Sequence, residues 1–308
     1  MEYSRLGSSS LEVSRIGFGC WAVGGHGWGS VDDRESIATI RRAVELGVTL
    51  FDTADVYGLG HSEKVLSEAL GERRHDMIIA TKFGVTVSPD GRVGRDCTAK
   101  HVVAALEGSL RRLRLDRIPL YQIHWPDPKT PILETLEALE RCRREGKVEL
   151  VGCSNFGWEQ VQAMQRHCRI ESLQMPYSLL ARDVEGDILS GCRGDQVAFM
   201  AYDALAKGLL TGKFGPTSTF PEDHVRARDP NFKGERFRQN LEVVERLRGF
   251  GAPRGLSVAR LAVRWVLDSP GVTSVLTGAT KPQQMEENAS ACDFRLEPRE
   301  RAFLCADE

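Results

Sequence analysis

Eight short apolar runs, separated by polar turns and by segments of helical spacing, place the strongest constraint on what this chain can fold into. The runs lie at 16–20, 48–51, 77–81, 120–124, 148–153, 172–175, 197–201 and 272–276. Between them Ile37, Ile40 and Val44 share one helical face, Val102, Leu106, Leu110 and Leu113 a second, and Ile132, Leu136 and Leu139 a third. Near-continuous apolar strands alternating with helices call for a parallel sheet covered on both sides. A doubly wound sheet and a closed barrel both satisfy that alternation. The count of eight favours the barrel, and no G-x-G-x-x-G follows the first run to favour the other. The expected fold is therefore α/β, a single (β/α)8 TIM barrel, with residues 1–308 forming one domain.

Additions to the eightfold unit are also expected. Residues 6–14 read as part of an N-terminal hairpin plugging the barrel floor. Asp32 with Glu35 resembles a capping box, and Pro282 suits the first turn of a helix. An extra helix over 241–250 precedes the one around 257–267, before the last β/α unit, and a further helix is expected at the C-terminus. Residues 214–240 form a polar stretch too long for a simple connection, so a functional or mobile role is expected.

Bulk properties exclude several function classes. The 41 basic and 43 acidic side chains leave a formal charge of −2, which gives no general attraction to nucleic acid or to an acidic membrane. The eight cysteines contain no C-x-x-C pair, so no metal site is expected. Residues 1–14 lack an apolar core of signal-peptide length, and no apolar run reaches about 18 residues. A cytoplasmic protein with reduced thiols is the expectation.

In a barrel of this kind chemistry collects where strands end, on the C-terminal rim. Asp52, Asp55 and Tyr57 follow the second strand, and Lys82 and His124 close the third and fourth. Ser154 and Asn155 close the fifth, Gln174 lies in the sixth and Tyr202 closes the seventh. Each alone reads as a cap or an ion-pair partner. Together, an acid, a phenol, an amine and an imidazole facing one bowl must pair to tolerate burial. An ammonium beside a phenol stabilises the phenolate and lowers its pKa, and a carboxylate neutralises and orients the ammonium. Tyr57 can then give a proton to a carbonyl oxygen, with His124 hydrogen-bonding the same oxygen and Asp52 orienting Lys82.

The motifs around these residues carry a resemblance. FDTADVYG at 51–58, GHSE at 60–63, ATK at 80–82, YQIHW at 121–125, GKV at 146–148, GCSNF at 152–156, GLLTGK at 208–213 and Glu287-Asn288 run in one order along nearly the whole chain. The series resembles the aldo-keto reductase family. That resemblance implies a (β/α)8 barrel and hydride transfer between NADP(H), the usual cofactor, and an aldehyde or ketone. It implies a catalytic tetrad of Asp52, Tyr57, Lys82 and His124. Ser154, Asn155 and Gln174 would hold the nicotinamide carboxamide and Tyr202 would stack on the ring. Leu205 and Lys213 would contact the cofactor, and Gly278, Thr280, Lys281, Gln284, Glu287 and Asn288 would meet its adenosine end.

The chain departs from that pattern in two places. Asp203-Ala204 stands where the family commonly has Ser-Pro, putting a carboxylate near the pyrophosphate, with Lys207 and Lys213 as candidate compensators. Many relatives carry an Arg where Thr280 or Gln284 stands, leaving Lys281 to meet a 2′-phosphate as a point charge. NADP(H) is the expected cofactor and NAD(H) the alternative.

Trp21, His26 and Trp125 are the expected substrate contacts, with Trp28 and Val56 beside them. An aromatic wall with few polar groups suits a small carbonyl or alcohol, a sugar or keto-sugar among them. Two other functions compete: a nucleotide-bound regulatory subunit, as in the potassium-channel beta subunits that resemble these enzymes, and a Schiff-base enzyme using Lys82 as nucleophile.

Overall fold

A computed structural model describes residues 1–25, 27–29 and 31–305. The strands in chain order are β1 (Tyr3–Arg5), β2 (Glu12–Ser14), β3 (Ile16–Gly19), β4 (Leu50–Asp52), β5 (Ile78–Phe83), β6 (Val85–Val87), β7 (Val93–Arg95), β8 (Ile118–Ile123), β9 (Val148–Ser154), β10 (Ser172–Pro176), β11 (Ala198–Tyr202) and β12 (Val272–Thr277). Eight of them close a barrel in the order β10-β11-β12-β3-β4-β5-β8-β9, every neighbouring pair parallel. All eight apolar runs of the sequence became barrel strands, and the fold is the expected (β/α)8 barrel.

The helices are α1 (Asp33–Glu45), α2 (His61–Leu70), α3 (Ala99–Leu113), α4 (Ile132–Arg144), α5 (Trp158–Gln165), α6 (Asp187–Gly194), α7 (Val225–Arg228), α8 (Gly234–Gly251), α9 (Val258–Leu267), α10 (Pro282–Ala289) and α11 (Pro298–Leu304). The inward faces of α1 and α3, including Ile40, Val102, Leu106 and Leu113, join the main core. Asp32 caps α1 by accepting from the Arg34 amide at 2.8 Å, without the reciprocal bond from Glu35 that a capping box requires. Pro282 opens α10 as expected.

The N-terminal hairpin pairs β1 with β2 and therefore begins before residue 6. Leu6 and Val13 pack with Leu50, Ala80, Leu120, Ala198, Met200 and Leu276 in a second apolar cluster, closing the floor of the barrel. At the same end Arg264, fully buried on α9, donates to Glu2 at 2.6 Å and pairs with Asp268, fastening the hairpin to the outer helices.

Two parts of the chain depart from expectation. The supposed polar stretch at 214–240 contains α7 and the first turns of α8. Phe237 and Asn240, read from the sequence as loop, are buried on the inward face of that helix. A lone Phe among charges hides a helical period that needs the residues beyond 240 to show itself. The β6–β7 hairpin, antiparallel and one residue beyond β5, was not foreseen, although Ser88-Pro89-Asp90-Gly91 at its tip is a strong turn signal between two short valine-bearing runs. Among the described residues, no helix is long and apolar enough to cross a membrane.

The loops following β3 and β4 interlock, and this fixes the approach to Tyr57. A Cβ on Gly24 would lie 2.8 Å from the Tyr57 carbonyl carbon and 2.9 Å from the Gly58 nitrogen. Gly58, at φ +58°, would in turn meet the Gly24 oxygen at 2.5 Å. Neither backbone can yield without moving the tyrosine. Gly24→Ala is expected to lower the Tm and to cut turnover at least tenfold, read by thermal unfolding and steady-state kinetics; unchanged values of both would show that the close approach does not position Tyr57.

Candidate active site

Strand alternation turns every second residue of β5 and β8 into the barrel mouth. Lys82, Gln122 and His124 arrive there by that rule, and Asp52 ends the neighbouring β4. The Lys82 ammonium is fully buried and donates to Asp52 Oδ1 at 2.6 Å and to the Thr53 carbonyl at 2.9 Å. Asp52 Oδ2 accepts from Gln174 Nε2 at 2.8 Å and from Gln122 Nε2 at 3.3 Å. Tyr57 stands over this pair, with Lys82 Nζ 5.1 Å from its ring centroid. The His124 ring meets Tyr57 edge to face at 5.7 Å. The expected tetrad is thus brought together.

Charge and burial set the protonation states. Burial opposes the Lys82 ammonium, but Asp52 and Tyr57 outweigh it and its pKa is raised. Burial also pushes the Tyr57 phenol up; Lys82 pulls it down and Asp52 pushes it up, leaving it above its ordinary value. The expected lowering by Lys82 is therefore present but overcome, first because burial penalises the phenolate and then because the carboxylate that neutralises the ammonium also acts on the phenol. Burial, then Lys82 and Arg95, hold the His124 imidazole well below its usual range, so it is neutral near pH 7. Asp55 has a different place. Its amide donates to the Lys82 carbonyl, its Oδ1 is buried without a partner, and burial with the neighbouring Glu63 pushes its pKa up to about 7.

The residues expected around the nicotinamide form a bonded belt on β9, β10 and β11. Ser154 Oγ donates to the Gln174 carbonyl at 3.0 Å. Asn155, at φ +65°, donates through Nδ2 to the His124 carbonyl and to Ser154 Oγ, both at 3.0 Å, and accepts from the Tyr202 hydroxyl at 2.8 Å. The side-chain amides of Asn155 and Gln174 are therefore already partnered within the protein, and Gln174 acts on Asp52. Gln122 was missed from the sequence. Its signal was its position two residues before His124 on the same strand.

Beyond Tyr202 the backbone is strained, with Asp203, Ala206 and Lys207 at φ +57°, +45° and +51°. Asp203 Oδ1 accepts from the Lys207 amide at 2.7 Å, while the Lys207 ammonium pairs with buried Asp229. Lys207 thus compensates Asp203 through its amide and its charge. Lys213 does not: it lies 5.0 Å from the Phe214 ring, and burial and Arg226 lower its pKa. Leu205 packs against the core. Arg226, which no sequence signal marked, donates to the Lys207 carbonyl at 2.7 Å and lies 5.1 Å from both the Trp28 and Phe214 rings. The Gly208 Cβ position lies 3.3 Å from Arg226 Nη2 and 3.5 Å from Lys213 Nζ, so the two cations converge. Among the described residues neither has a carboxylate partner.

At the β12–α10 junction, Gln284 Oε1 accepts from the Thr280 and Lys281 amides at 2.8 and 3.2 Å. Lys281 Nζ is 3.8 Å from Glu35, and Gly278 is exposed beside them. Glu287 is half-buried; Asn288 is buried, with its Nδ2 unpartnered. Trp21 and Trp125 are each 38% exposed at the rim, and Trp21 meets Trp28 edge to face at 5.1 Å. His26 lies outside the described residues.

Residues 15–304 match the model of the aldo/keto reductase family. Aldo-keto reductase YhdN of Bacillus subtilis is 40% identical over 289 residues, 93% of this chain and 87% of that protein. The NADH-specific methylglyoxal reductase of Escherichia coli is 30% identical over 314 residues, 97% of this chain and 96% of that one. The structure of glycerol dehydrogenase AKR11B4 from Gluconobacter oxydans superposes with a TM-score of 0.91 at 37% identity, covering 98% of this chain and 93% of that one. The chain belongs to the aldo/keto reductase family. It is accordingly an oxidoreductase of carbonyl compounds that works with a nicotinamide cofactor.

Burial, ahead of the neighbouring charges, pushes the Asp203 pKa from 3.8 to about 6. A carboxyl raised in this way destabilises the fold once ionised: the penalty is absent below about pH 4, grows between the two values and is complete above the folded pKa. Asp203→Asn keeps an acceptor for the Lys207 amide. It is expected to stabilise the protein by about 1–3 kcal/mol at pH 8 and to leave it unchanged at pH 4, read from denaturant unfolding at both pH values. An equal effect at both would contradict the assignment.

Proposed function

We propose that this protein reduces a small aldehyde or ketone, with Tyr57 as proton donor and NADPH as the cofactor of first choice. The observation that carries this reading is the Lys82 ammonium, bound to Asp52 at 2.6 Å and lying 5.1 Å from the Tyr57 ring. A bound nicotinamide supplies the hydride. Tyr57 holds the proton that the carbonyl oxygen takes up, and the Lys82 ammonium stabilises the phenolate left behind. Gln122, Gln174 and the Thr53 carbonyl keep Asp52 and Lys82 in register. Neutral His124 hydrogen-bonds the same oxygen. Its Nδ1 is buried without a partner, which is less costly as a bare lone pair than as an N–H and so leaves the proton on Nε2. The raised pKa of Lys82 argues against the Schiff-base alternative, since an amine nucleophile must lose its proton. The complete tetrad favours a working enzyme over a regulatory subunit.

The fit to a dinucleotide rests on two cations without a carboxylate partner among the described residues and on one buried amide nitrogen without a hydrogen-bond partner. Lys213 and Arg226 converge without a carboxylate, as a pyrophosphate would require, and the buried Asn288 Nδ2 is free for a purine edge. Tyr202 would face the nicotinamide ring. Ser154, Asn155 and Gln174 would border it, their remaining polar capacity limited by the bonds they already make. NADH is the second reading. Lys281, the cation expected at a 2′-phosphate, already faces Glu35, and the Escherichia coli relative is named as NADH-specific. Both named activities, on methylglyoxal and glycerol, concern small polar molecules, in keeping with a sugar-like substrate at Trp21 and Trp125. We take residues 1–308 as one domain acting in the cytoplasm, where its eight free cysteines would remain reduced.

Tyr57→Phe removes the proton and little else. It is expected to cut turnover with NADPH and an aldehyde by about 10²–10⁴-fold while leaving cofactor binding, followed by Trp fluorescence, within a factor of about three. Turnover equal to that of the unaltered protein would exclude Tyr57 as the donor.

A further inference from the structure

The β6–β7 hairpin brings a cation to the substrate side of the rim. It begins three residues after Lys82, and its register pairs Val85 with Arg95, Thr86 with Gly94 and Val87 with Val93. Arg95 closes the hairpin and lays its guanidinium 5.4 Å from the ring centroid of Trp125, the residue next to His124. It is near enough to the tetrad that its charge, after burial and Lys82, helps hold the His124 imidazole neutral.

Among the described residues no acid pairs with that charge. Asp96, the next residue, accepts from the Thr98 amide at 3.0 Å and the Thr98 hydroxyl at 2.7 Å, with His101 at 3.9 Å. Asp127 accepts from the Cys97 and Lys129 amides, both at 3.0 Å, and from Thr130 Oγ1 at 2.7 Å. Asp90, at the hairpin tip, pairs with Arg92 at 2.6 Å. Arg95 itself makes one hydrogen bond, from Nη1 to the Gly94 carbonyl at 3.0 Å, and no ion pair among the described residues. The result is a half-buried guanidinium with most of its donors open, held over a partly exposed indole that follows His124 directly in the chain. Such a fork matches an oxyanion through paired N–H bonds, and an indole beneath it restricts its motion.

We infer that Arg95 is a specificity-determining residue, and that the substrate is an aldehyde or ketone carrying a carboxylate or phosphate group that Arg95 receives. This inference rests on the carbonyl reduction proposed above and narrows its substrate class.

The test compares charged and neutral partners of similar shape: succinic semialdehyde against butanal, and glyceraldehyde 3-phosphate against glyceraldehyde. The unaltered enzyme should favour the charged member of at least one pair by roughly tenfold or more in kcat/KM. The pair that responds tells carboxylate from phosphate. In Arg95→Gln that charged-to-neutral ratio should fall about tenfold, through KM rather than kcat, and Arg95→Lys should recover part of it. A ratio unchanged in Arg95→Gln, or no charge preference in an enzyme that reduces the neutral aldehydes, would overturn the inference. Should no carbonyl be reduced at all, the proposed reaction fails instead. Binding of succinate and of glycerol 3-phosphate, followed by Trp fluorescence, then decides the role of Arg95. Binding weakened in Arg95→Gln supports the anion site; binding equal in both proteins, or absent from both, overturns it.

Discussion

The ion pair between Lys82 and Asp52 is the constraint around which the rim of this barrel is arranged. Burying two charges costs more than their attraction returns unless the remaining donors and acceptors are satisfied. Here the ammonium also bonds the Thr53 carbonyl, and the carboxylate takes amide hydrogens from Gln122 and Gln174. The pair therefore engages β4, β5, β8 and β10 at once, half of the barrel. Removing either charge would strand the other in a site with almost no access to water. The arrangement then acts on the phenol above it in two senses, since Lys82 favours the phenolate and Asp52 opposes it.

The rest of the rim is held by bonds that run across rather than along the strands. Asn155 reaches back to the His124 carbonyl and forward to Tyr202, so the fourth, fifth and seventh barrel strands are joined at their ends. On the opposite side, the segment after β11 folds over the loop after β3. The Val225 amide donates to the Gly27 carbonyl at 2.8 Å, and Arg226 lies over Trp28. The strained run from Asp203 to Lys207 is the hinge between Tyr202 and this cover. The cations proposed for the cofactor and the aromatic wall proposed for the substrate thus share one packed unit, through Arg226 over Trp28.

Much of this was legible in the sequence. Eight apolar runs gave eight strands because a strand buried on both faces leaves a continuous apolar signal. Asp52, Lys82 and His124 were placed because strand ends define the rim, and Tyr57 followed from its spacing beyond the second strand. Less visible were residues whose importance lies in a partner far along the chain. Gln122 looked like one more polar residue until Asp52, 70 positions away, was seen to accept from it. Arg226 and Arg95 sit in segments without apolar periodicity, where position along the sequence says nothing of position in space. The direction of the Tyr57 shift was misjudged from the sequence for a related reason. Burial and a second charge enter only once distances are known.

The central claim is that protonated Tyr57 is the acid and that Asp52 and Lys82 oppose one another in setting its pKa. The pH dependence of kcat/KM for aldehyde reduction, measured on the unaltered enzyme and on Asp52→Asn, tests it directly. The account predicts a flat profile through neutral pH with loss of rate only on the basic side, above the ordinary phenol range, and a basic limb that moves to lower pH in Asp52→Asn. A limb that stays in place, or moves to higher pH, when that carboxylate is removed would contradict it.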